Sequence, residues 1–160
     1  MSAVAGIPVG VRRVARVLLI SNDDRLLLLK AVNPSTNHRF WLTPGGALEG
    51  DEGFEAAARR ELLEETGFSP PIGPWVWTRR YEYEWRGQQY DQYERFFVAR
   101  GVTAAPLSPN SPDRHVVGHR WWSQGQIAES TDRFSPPWLV DLVPAILRSD
   151  YPDSPIDCQV

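Results

Sequence analysis

The sequence predicts an α/β domain, because some of its segments have the periodicity of strands and others favour helices. Within residues 75–85, aromatic side chains alternate with charged ones, which is typical of a half-buried strand. Residues 26–29 are four consecutive leucines, as expected of a strand that is buried on both faces. Residues 51–66 are rich in alanine, leucine and glutamate, which favours a helix. A chain of 160 residues is long enough for one such domain with a sizeable core.

The first strands are predicted from apolar content. Two of them, at residues 11–20 and 25–32, form a hairpin around an Asn-Asp-Asp turn. A third, at residues 40–43, contains Trp41, which we expect in the core. It leads into a turn of sequence Pro-Gly-Gly at residues 44–46, and glycines at such a turn let the backbone approach a ligand closely.

The acidic stretch is predicted to form a helix that begins near Asp51 and ends at Gly67. Asp is a good N-cap, since its carboxylate accepts hydrogen bonds from the N–H groups of the first turn. Glycine suits the left-handed conformation that ends a helix. Three glutamates, Glu61, Glu64 and Glu65, lie at i, i+3 and i+4 and therefore share one face of this helix.

These three carboxylates repel one another, at about 0.2–0.5 kcal/mol for each like-charged i,i+4 pair. A divalent cation would reverse the sign of the interaction, and magnesium takes carboxylate oxygens together with phosphate oxygens and water. A solvated helix face is the alternative. Against it stand the preceding glycine pair and the apolar residues that flank the acidic face. Those residues are Ala58 and Leu62 on one side, and Ala56 and Leu63 on the other. We expect both sides to be buried, because a helix that is apolar around much of its circumference is buried.

The second half of the chain is predicted to contain a long hairpin. Its strands, at residues 75–85 and 88–100, are joined by an Arg86-Gly87 turn. A stretch rich in Pro, Ser and Ala at residues 101–117 is predicted to be a long loop. The remaining predicted elements are a strand at 119–122, a helix at 124–130 with Ser123 as its N-cap, and a last helix at 138–148.

Composition and charge exclude several classes of protein. Seventeen Lys and Arg against 20 Asp and Glu give a net charge of −3, so no polybasic binder of extended nucleic acid is expected. Cys158 is the one cysteine, which excludes a disulfide within the chain and fits a reducing cytoplasm. Arg12, Arg13 and Arg16 interrupt the apolar N-terminal residues, which predicts neither a signal-peptide core nor a membrane span.

The acidic helix and the loop before it resemble the signature of the Nudix hydrolases. That signature is Gly, five residues, Glu, seven residues, Arg-Glu, an aliphatic residue, any residue, Glu-Glu, any residue, Gly, and an aliphatic or aromatic residue. Every fixed position is filled here, by Gly46, Glu52, Arg60, Glu61, Leu62, Glu64, Glu65, Gly67 and Phe68. The resemblance implies an α/β/α sandwich around a mixed β-sheet. We expect one domain at residues 11–148, between a loose N-terminal arm at 1–10 and a loose tail at 149–160.

The resemblance also implies a reaction, the hydrolysis of a phosphoanhydride bond in a nucleoside diphosphate linked to another moiety, with magnesium or manganese. Glu61, Glu64 and Glu65 would be the catalytic and metal-binding residues, and Glu61 is favoured as the general base. Gly46 would add a carbonyl oxygen to the metal, and Glu94 an acidic side chain from outside the signature. Structural roles in the motif fall to Glu52, Arg60, Gly45 and Gly67.

Candidate substrate contacts are Arg39, Arg79, Arg80 and Tyr83. The arginines could clamp phosphate, although Arg39 could equally be a surface residue. Aromatic rings of the hairpin could stack on a nucleobase, or they could pack across the strands.

The substrate is expected to be a small-molecule nucleotide, by default a nucleoside triphosphate, oxidised ones included. In the resembling family, a Pro beyond the motif suggests ADP-ribose and a Tyr slightly further suggests diadenosine polyphosphates. Residues 80–85 contain no Pro, and Tyr83 is near the tyrosine position but not on it. A hydrolase of either compound remains an alternative, as does a nucleotide-binding or regulatory module. An isomerase of prenyl diphosphates is disfavoured, because no Cys lies near the motif. We expect a monomer or a homodimer, since the hairpin edge could pair with another subunit.

Overall fold

The computed structural model describes residues 10–110, 113 and 115–158, and this part of the chain contains nine strands and three helices. The predicted N-terminal arm, apart from Gly10, lies outside the described residues. In chain order the elements are β1 (Arg12–Ser21), β2 (Leu26–Val32), β3 (Arg39–Leu42), β4 (Gly45–Ala47), α1 (Phe54–Thr66), β5 (Trp75–Trp85), β6 (Gln88–Val102), β7 (Val116–Trp122), α2 (Gln124–Glu129), β8 (Phe134–Ser135), α3 (Leu139–Leu147) and β9 (Ile156–Asp157).

Strand β1 is the centre of a mixed sheet. It runs parallel to β6, with Val14 opposite Glu94, and antiparallel to β4, with Arg16 opposite Gly45. The strands follow the order β8-β3-β2-β1-β6-β5-β9, while β4 pairs with β1 and β7 pairs with β2. The four leucines of β2 are almost completely buried, as the uninterrupted apolar run predicts.

Helices cover both faces of the sheet. On one face α1 buries an apolar side that includes Phe54, Ala57 and Leu62, and full burial of a leucine side chain contributes about 1.5–3 kcal/mol. On the other face α3 buries Leu139, Val143 and Ile146 against β1, β5 and β6. This layering confirms the predicted α/β/α sandwich around a mixed sheet.

The start of α1 differs from the prediction. The helix begins at Phe54 with Gly53 as its N-cap and without a side-chain cap, so the expected cap at Asp51 is wrong. The reason lies in the preceding loop, where the N–H of Glu52 donates to the carbonyl of Glu49 and closes a separate turn. The end of the helix agrees with the prediction, because Gly67 is left-handed at φ 80°.

The apolar residues beside the acidic face of α1 are buried on one side only. Ala58 and Leu62 have no exposed surface, whereas Ala56 is exposed and Leu63 retains 39% of its accessible surface. The expectation of apolar burial on both sides is therefore wrong. The helix lies on the sheet along a single stripe, as most surface helices do.

Two other segments are more ordered than the sequence indicates. The predicted glycine turn continues as strand β4, because Gly45 and Gly46 pair with Arg16 and Ala15 of β1. The C-terminal segment is not loose throughout, since β9 pairs with β5 and Cys158 is buried in the core. Among the described residues, no helix is long and apolar enough to cross a membrane.

The β5–β6 hairpin forms as predicted around Arg86 and Gly87, which both have positive φ, at 55° and 75°. Strand β7 begins at Val116, earlier than predicted, because it pairs along β2. The long loop before β7 is fixed to the end of α1, where the N–H of Asn110 donates to the carbonyl of Glu64 at 2.8 Å.

Candidate active site

Strand β4 and helix α1 meet where the chain has two glycines. A Cβ atom at position 46 would lie 2.5 Å from the carboxyl carbon of Glu61, so only glycine leaves room for that carboxylate. A Cβ atom at position 45 would lie 2.1 Å from the carbonyl oxygen of Ala15. The N–H of Gly45 donates to Glu65 Oε2 at 3.3 Å. The glycine pair therefore brings backbone against the acidic face of the helix.

Glu61 and Glu65 interact directly at this junction. Burial raises the pKa of Glu65 to about 8, the charge of Arg16 opposes the rise, and the charge of Glu61 adds to it. Two carboxylates in contact resist simultaneous ionisation unless a cation lies between them. A positively charged partner would therefore stabilise the ionised form of both carboxylates.

Arg60 ties the loop before α1 to the helix. Its Nε and Nη2 donate to the two carboxylate oxygens of Glu52, both at 2.9 Å, and Nη2 also donates to the carbonyl of Ala47. Its Nη1 donates to Glu61 at 2.9 Å and to Glu64 at 3.3 Å. The hydrogen bonds from Arg60 hold the pKa of Glu52 below its usual value. The side chain of Glu64 is 40% exposed.

The donor set fits magnesium or manganese. Within the described residues, no three His, Cys, Asp or Glu side chains are already gathered as a metal site. Glu61 and Glu64 each accept a hydrogen bond from Arg60 Nη1, and Glu61 contacts Glu65. Carboxylate and carbonyl oxygens are the ligands that both metals prefer, and the absence of a side chain at Gly46 leaves room for the carboxylate of Glu61.

Glu94 lies in a buried network and has no exposed surface. Its Oε1 accepts from Arg79 Nε at 2.8 Å, and its Oε2 accepts from Arg16 Nε at 3.0 Å and from Gln92 at 2.8 Å. Burial alone would raise the pKa of Glu94, but the charges of Arg16 and Arg79 overcome it and hold the pKa below its usual value. Both oxygens of this carboxylate are therefore engaged by neighbouring donors.

A cavity of about 750 Å³ opens from this region. Its lining includes Gly45, Gly46 and Glu65 and also the polar residues Arg16, Thr43 and Arg79, which we call the floor. The aromatic wall is formed by Phe40, Tyr81, Tyr83, Trp85 and Tyr90, and the rim includes His38, Arg86, His115 and Arg133.

The aromatic wall is a set of contacting rings. Tyr83 stacks on Tyr81 at 5.1 Å and on Tyr90 at 5.2 Å between centroids. Phe40 meets Trp85 edge to face at 6.5 Å, which links the hairpin tip to β3 across the cavity. These rings pack against one another and also face the cavity. Cross-strand packing and stacking on a nucleobase, the two predicted roles of the aromatic residues, are therefore compatible.

The predicted substrate residues separate into two groups. Arg79 and Tyr83 line the cavity, whereas Arg39 is exposed outside its lining and Arg80 pairs with Asp91 at 3.0 Å on the exposed side of the hairpin. Sequence reasoning did not identify Arg16 as a cavity residue. Its proximity to Glu94 results from the parallel pairing of β1 with β6, which no local pattern of residues indicates.

Comparison with known proteins gives the same family as the motif. The family model described as the NUDIX domain matches residues 10–142. The Escherichia coli K12 protein named phosphatase NudJ is 33% identical over 97 residues, which are 60% of this chain and 60% of that protein. The chain thus spans less than two thirds of the length of the curated relatives it matches.

Solved structures share the fold. A MutT protein from Methanosarcina mazei superposes with a TM-score of 0.65 at 21% identity, covering 87% of this chain and 94% of that one. The NUDIX domain of Shewanella oneidensis NrtR, complexed with ADP ribose, gives a TM-score of 0.64 at 19% identity, covering 86% and 89%. A Caenorhabditis elegans Ap4A hydrolase gives 0.63 at 19% identity, covering 87% and 99%.

Proposed function

The chain belongs to the NUDIX family, and from that premise we propose that it hydrolyses a phosphoanhydride bond in a nucleoside diphosphate linked to another moiety. The default substrate is a nucleoside triphosphate, oxidised ones included. The observation that carries this proposal is the junction of α1 with β4, where Glu61 fills the space beside Gly46, and Glu65 lines a cavity together with the two glycines and with cationic and aromatic side chains.

The residues divide the chemistry between them. Glu61, Glu64 and Glu65, with the carbonyl of Gly46, would hold magnesium or manganese. Such a cation, when bound, neutralises charge on phosphate oxygens and lowers the pKa of a bound water. Glu61 accepts the proton of the attacking water while the water oxygen bonds to phosphorus and the anhydride P–O bond breaks. Arg60 fixes one oxygen of Glu61 and so orients this base.

The aromatic wall favours a nucleotide as the substrate over a polyphosphate that has no base. Tyr81, Tyr83 and Trp85 alternate along β5 towards the cavity, and base stacking on such rings contributes roughly 1–3 kcal/mol per base. One of the similar structures is complexed with ADP ribose, and another is an Ap4A hydrolase. ADP-ribose and diadenosine polyphosphates therefore remain alternative substrates. The protein is expected to act on the small molecule alone, as a monomer or homodimer.

The test is a panel assay with the purified chain. Nucleoside triphosphates, their oxidised forms, ADP-ribose and a diadenosine polyphosphate are incubated with magnesium, with manganese or with a chelator. We expect release of phosphate or pyrophosphate from at least one compound, and no release with the chelator. If nucleotides bind and none is cleaved with either metal, the chain is a nucleotide-binding or regulatory module instead.

A further inference from the structure

The floor of the cavity is a closed ring of polar groups around Glu94. The carboxylate holds Arg16 on one side and Arg79 on the other. Arg16 Nη1 then donates to the carbonyl of Thr43 at 3.4 Å, and Arg79 Nη2 donates to Ser135 Oγ at 3.1 Å. Ser135 of β8 lies beside Leu42, the residue before Thr43, so the ring closes on itself.

Thr43 contributes a hydroxyl without a partner. The residue is 1% exposed, and among the described residues its Oγ1 is one of two buried side-chain polar atoms that make no hydrogen bond. Thr43 also lines the cavity, together with Arg16, Arg79 and Glu65. Buried hydroxyls are nearly always paired, because an unpaired one loses its hydrogen bonds to water without replacement.

The ring also places two guanidinium groups in the lining of the cavity. The side chains of Arg16 and Arg79 are 13% and 3% exposed, and the carboxylates near them are Glu94 and, for Arg16, also Glu65. Each guanidinium group has more N–H donors than its contact with Glu94 uses, so the ring can offer donors to a bound anion. Guanidinium groups match the oxygens of phosphate by parallel N–H donors, and a hydroxyl adds a third donor.

We propose that Arg16, Arg79 and the hydroxyl of Thr43 form a phosphate-binding subsite in the floor of the cavity, with Glu94 as the residue that positions the two arginines. The subsite rests on the proposed function for the identity of its ligand, a phosphate group of the substrate's polyphosphate chain. Its residues line the same cavity as Glu65 and the aromatic wall, into which a nucleotide would bring its phosphates.

The role of Glu94 follows from its contacts. Both oxygens of Glu94 are already bound to neighbouring side chains, so this carboxylate acts through the arginines and sets the direction in which both guanidinium groups present their remaining N–H donors. Glu94 is therefore a positioning residue, and its predicted role as a metal ligand competes with three donors already bound to its oxygens.

The test removes the unpaired hydroxyl and measures anion binding without catalysis. Thr43→Val keeps the shape of the side chain and breaks no hydrogen bond of its hydroxyl, so the variant is expected to melt no lower than the wild type. Calorimetry with inorganic pyrophosphate in a metal chelator should give binding to the wild type and about 10-fold to 100-fold weaker binding to Thr43→Val. Adenosine, which lacks phosphate, should bind equally to both.

Two matched variants complete the experiment. Thr43→Ser keeps the hydroxyl and should bind pyrophosphate as the wild type does, and Thr78→Val, on β5 outside the cavity lining, should also leave binding unchanged. Equal pyrophosphate binding by Thr43→Val and wild type, or no binding by the wild type, overturns the subsite. Because the measurement needs no turnover, a chain that cleaves none of the assayed nucleotides but shows the Thr43 effect would refute the proposed function and leave the subsite standing.

Discussion

The carboxylate of Glu61 occupies the space in which a side chain of residue 46 would stand. The carboxyl carbon lies 2.5 Å from the ideal position of a Cβ atom on Gly46, well inside van der Waals contact. The glycine at this position of the signature is thus explained by the position of the proposed base, and not by a turn, since Gly46 pairs within strand β4.

Gly46→Ala should displace Glu61 and lower kcat by about 100-fold, because a shift of about 1 Å in a reacting group can cost that much. The fold should survive, since the atoms in conflict belong to a side chain that can rotate. Steady-state kinetics and thermal melting check both statements. Gly125→Ala, where an added Cβ meets nothing, is the control and should keep full activity. If Gly46→Ala had a normal kcat, the proposed role of Glu61 in the reaction would be contradicted.

Glu64→Gln should abolish magnesium-dependent hydrolysis, with a loss of at least about 100-fold in kcat, because an amide is a poor ligand for a hard cation. The side chain is 40% exposed, so the melting temperature should change little. Glu55→Gln serves as the matched control, since Glu55 lies on the same helix in an exposed pair with Arg59. Activity of Glu64→Gln near the wild-type level would show that this residue holds no metal.

Glu94→Gln separates two roles of that residue. If it positions Arg16 and Arg79, the KM for the nucleotide should rise by about 10-fold or more, and the magnesium concentration for half-maximal activity should stay the same. Titrating magnesium and nucleotide independently gives both numbers. The opposite result, an unchanged KM with a higher magnesium requirement, would show that Glu94 is a metal ligand.

The Glu52–Arg60 pair should contribute stability that depends on pH. Arg60 lowers the pKa of Glu52 in the folded chain, so the contribution is present above the unfolded pKa of about 4.3 and is lost as pH falls through the lower folded value. Glu52→Gln should therefore cost about 1–3 kcal/mol at pH 7 and much less once the pH is below the lowered folded pKa, measured by chemical denaturation. Glu49→Gln is the control, because Glu49 is 72% exposed and its contact with Arg60 is 3.4 Å. A cost for Glu52→Gln that does not change with pH would contradict this account.

Local sequence patterns were sufficient for most of the sheet and for the signature. The strands β1, β2, β5 and β6 lie within two residues of their predicted ends, because each has a continuous apolar or alternating pattern. The capping box of α2 at Ser123 was equally predictable, since capping depends on neighbours three residues apart.

The floor of the cavity was not predictable, since it is assembled from distant segments. Arg16 and Glu94 are 78 residues apart in sequence and meet only through the parallel register of β1 and β6. Arg79 and Arg80 are adjacent in sequence, yet the pleat of β5 buries the first on Glu94 and exposes the second beside Asp91. The alternation along β5 places the two arginines on opposite faces, but only the pairing of β5 with β6 shows that Arg79 meets Glu94.

The hairpin has a consequence for how new specificities could arise. The candidate catalytic carboxylates all come from α1, whereas Tyr83, Trp85 and Tyr90 surround a two-residue turn at the far end of β5 and β6. Mutations at that turn can reshape the part of the aromatic wall that meets Phe40, without changing any residue of the acidic helix. Substitutions at residues 83–90, in nature or in a laboratory library, could therefore change which nucleoside is recognised. The candidate catalytic residues of α1 would stay the same.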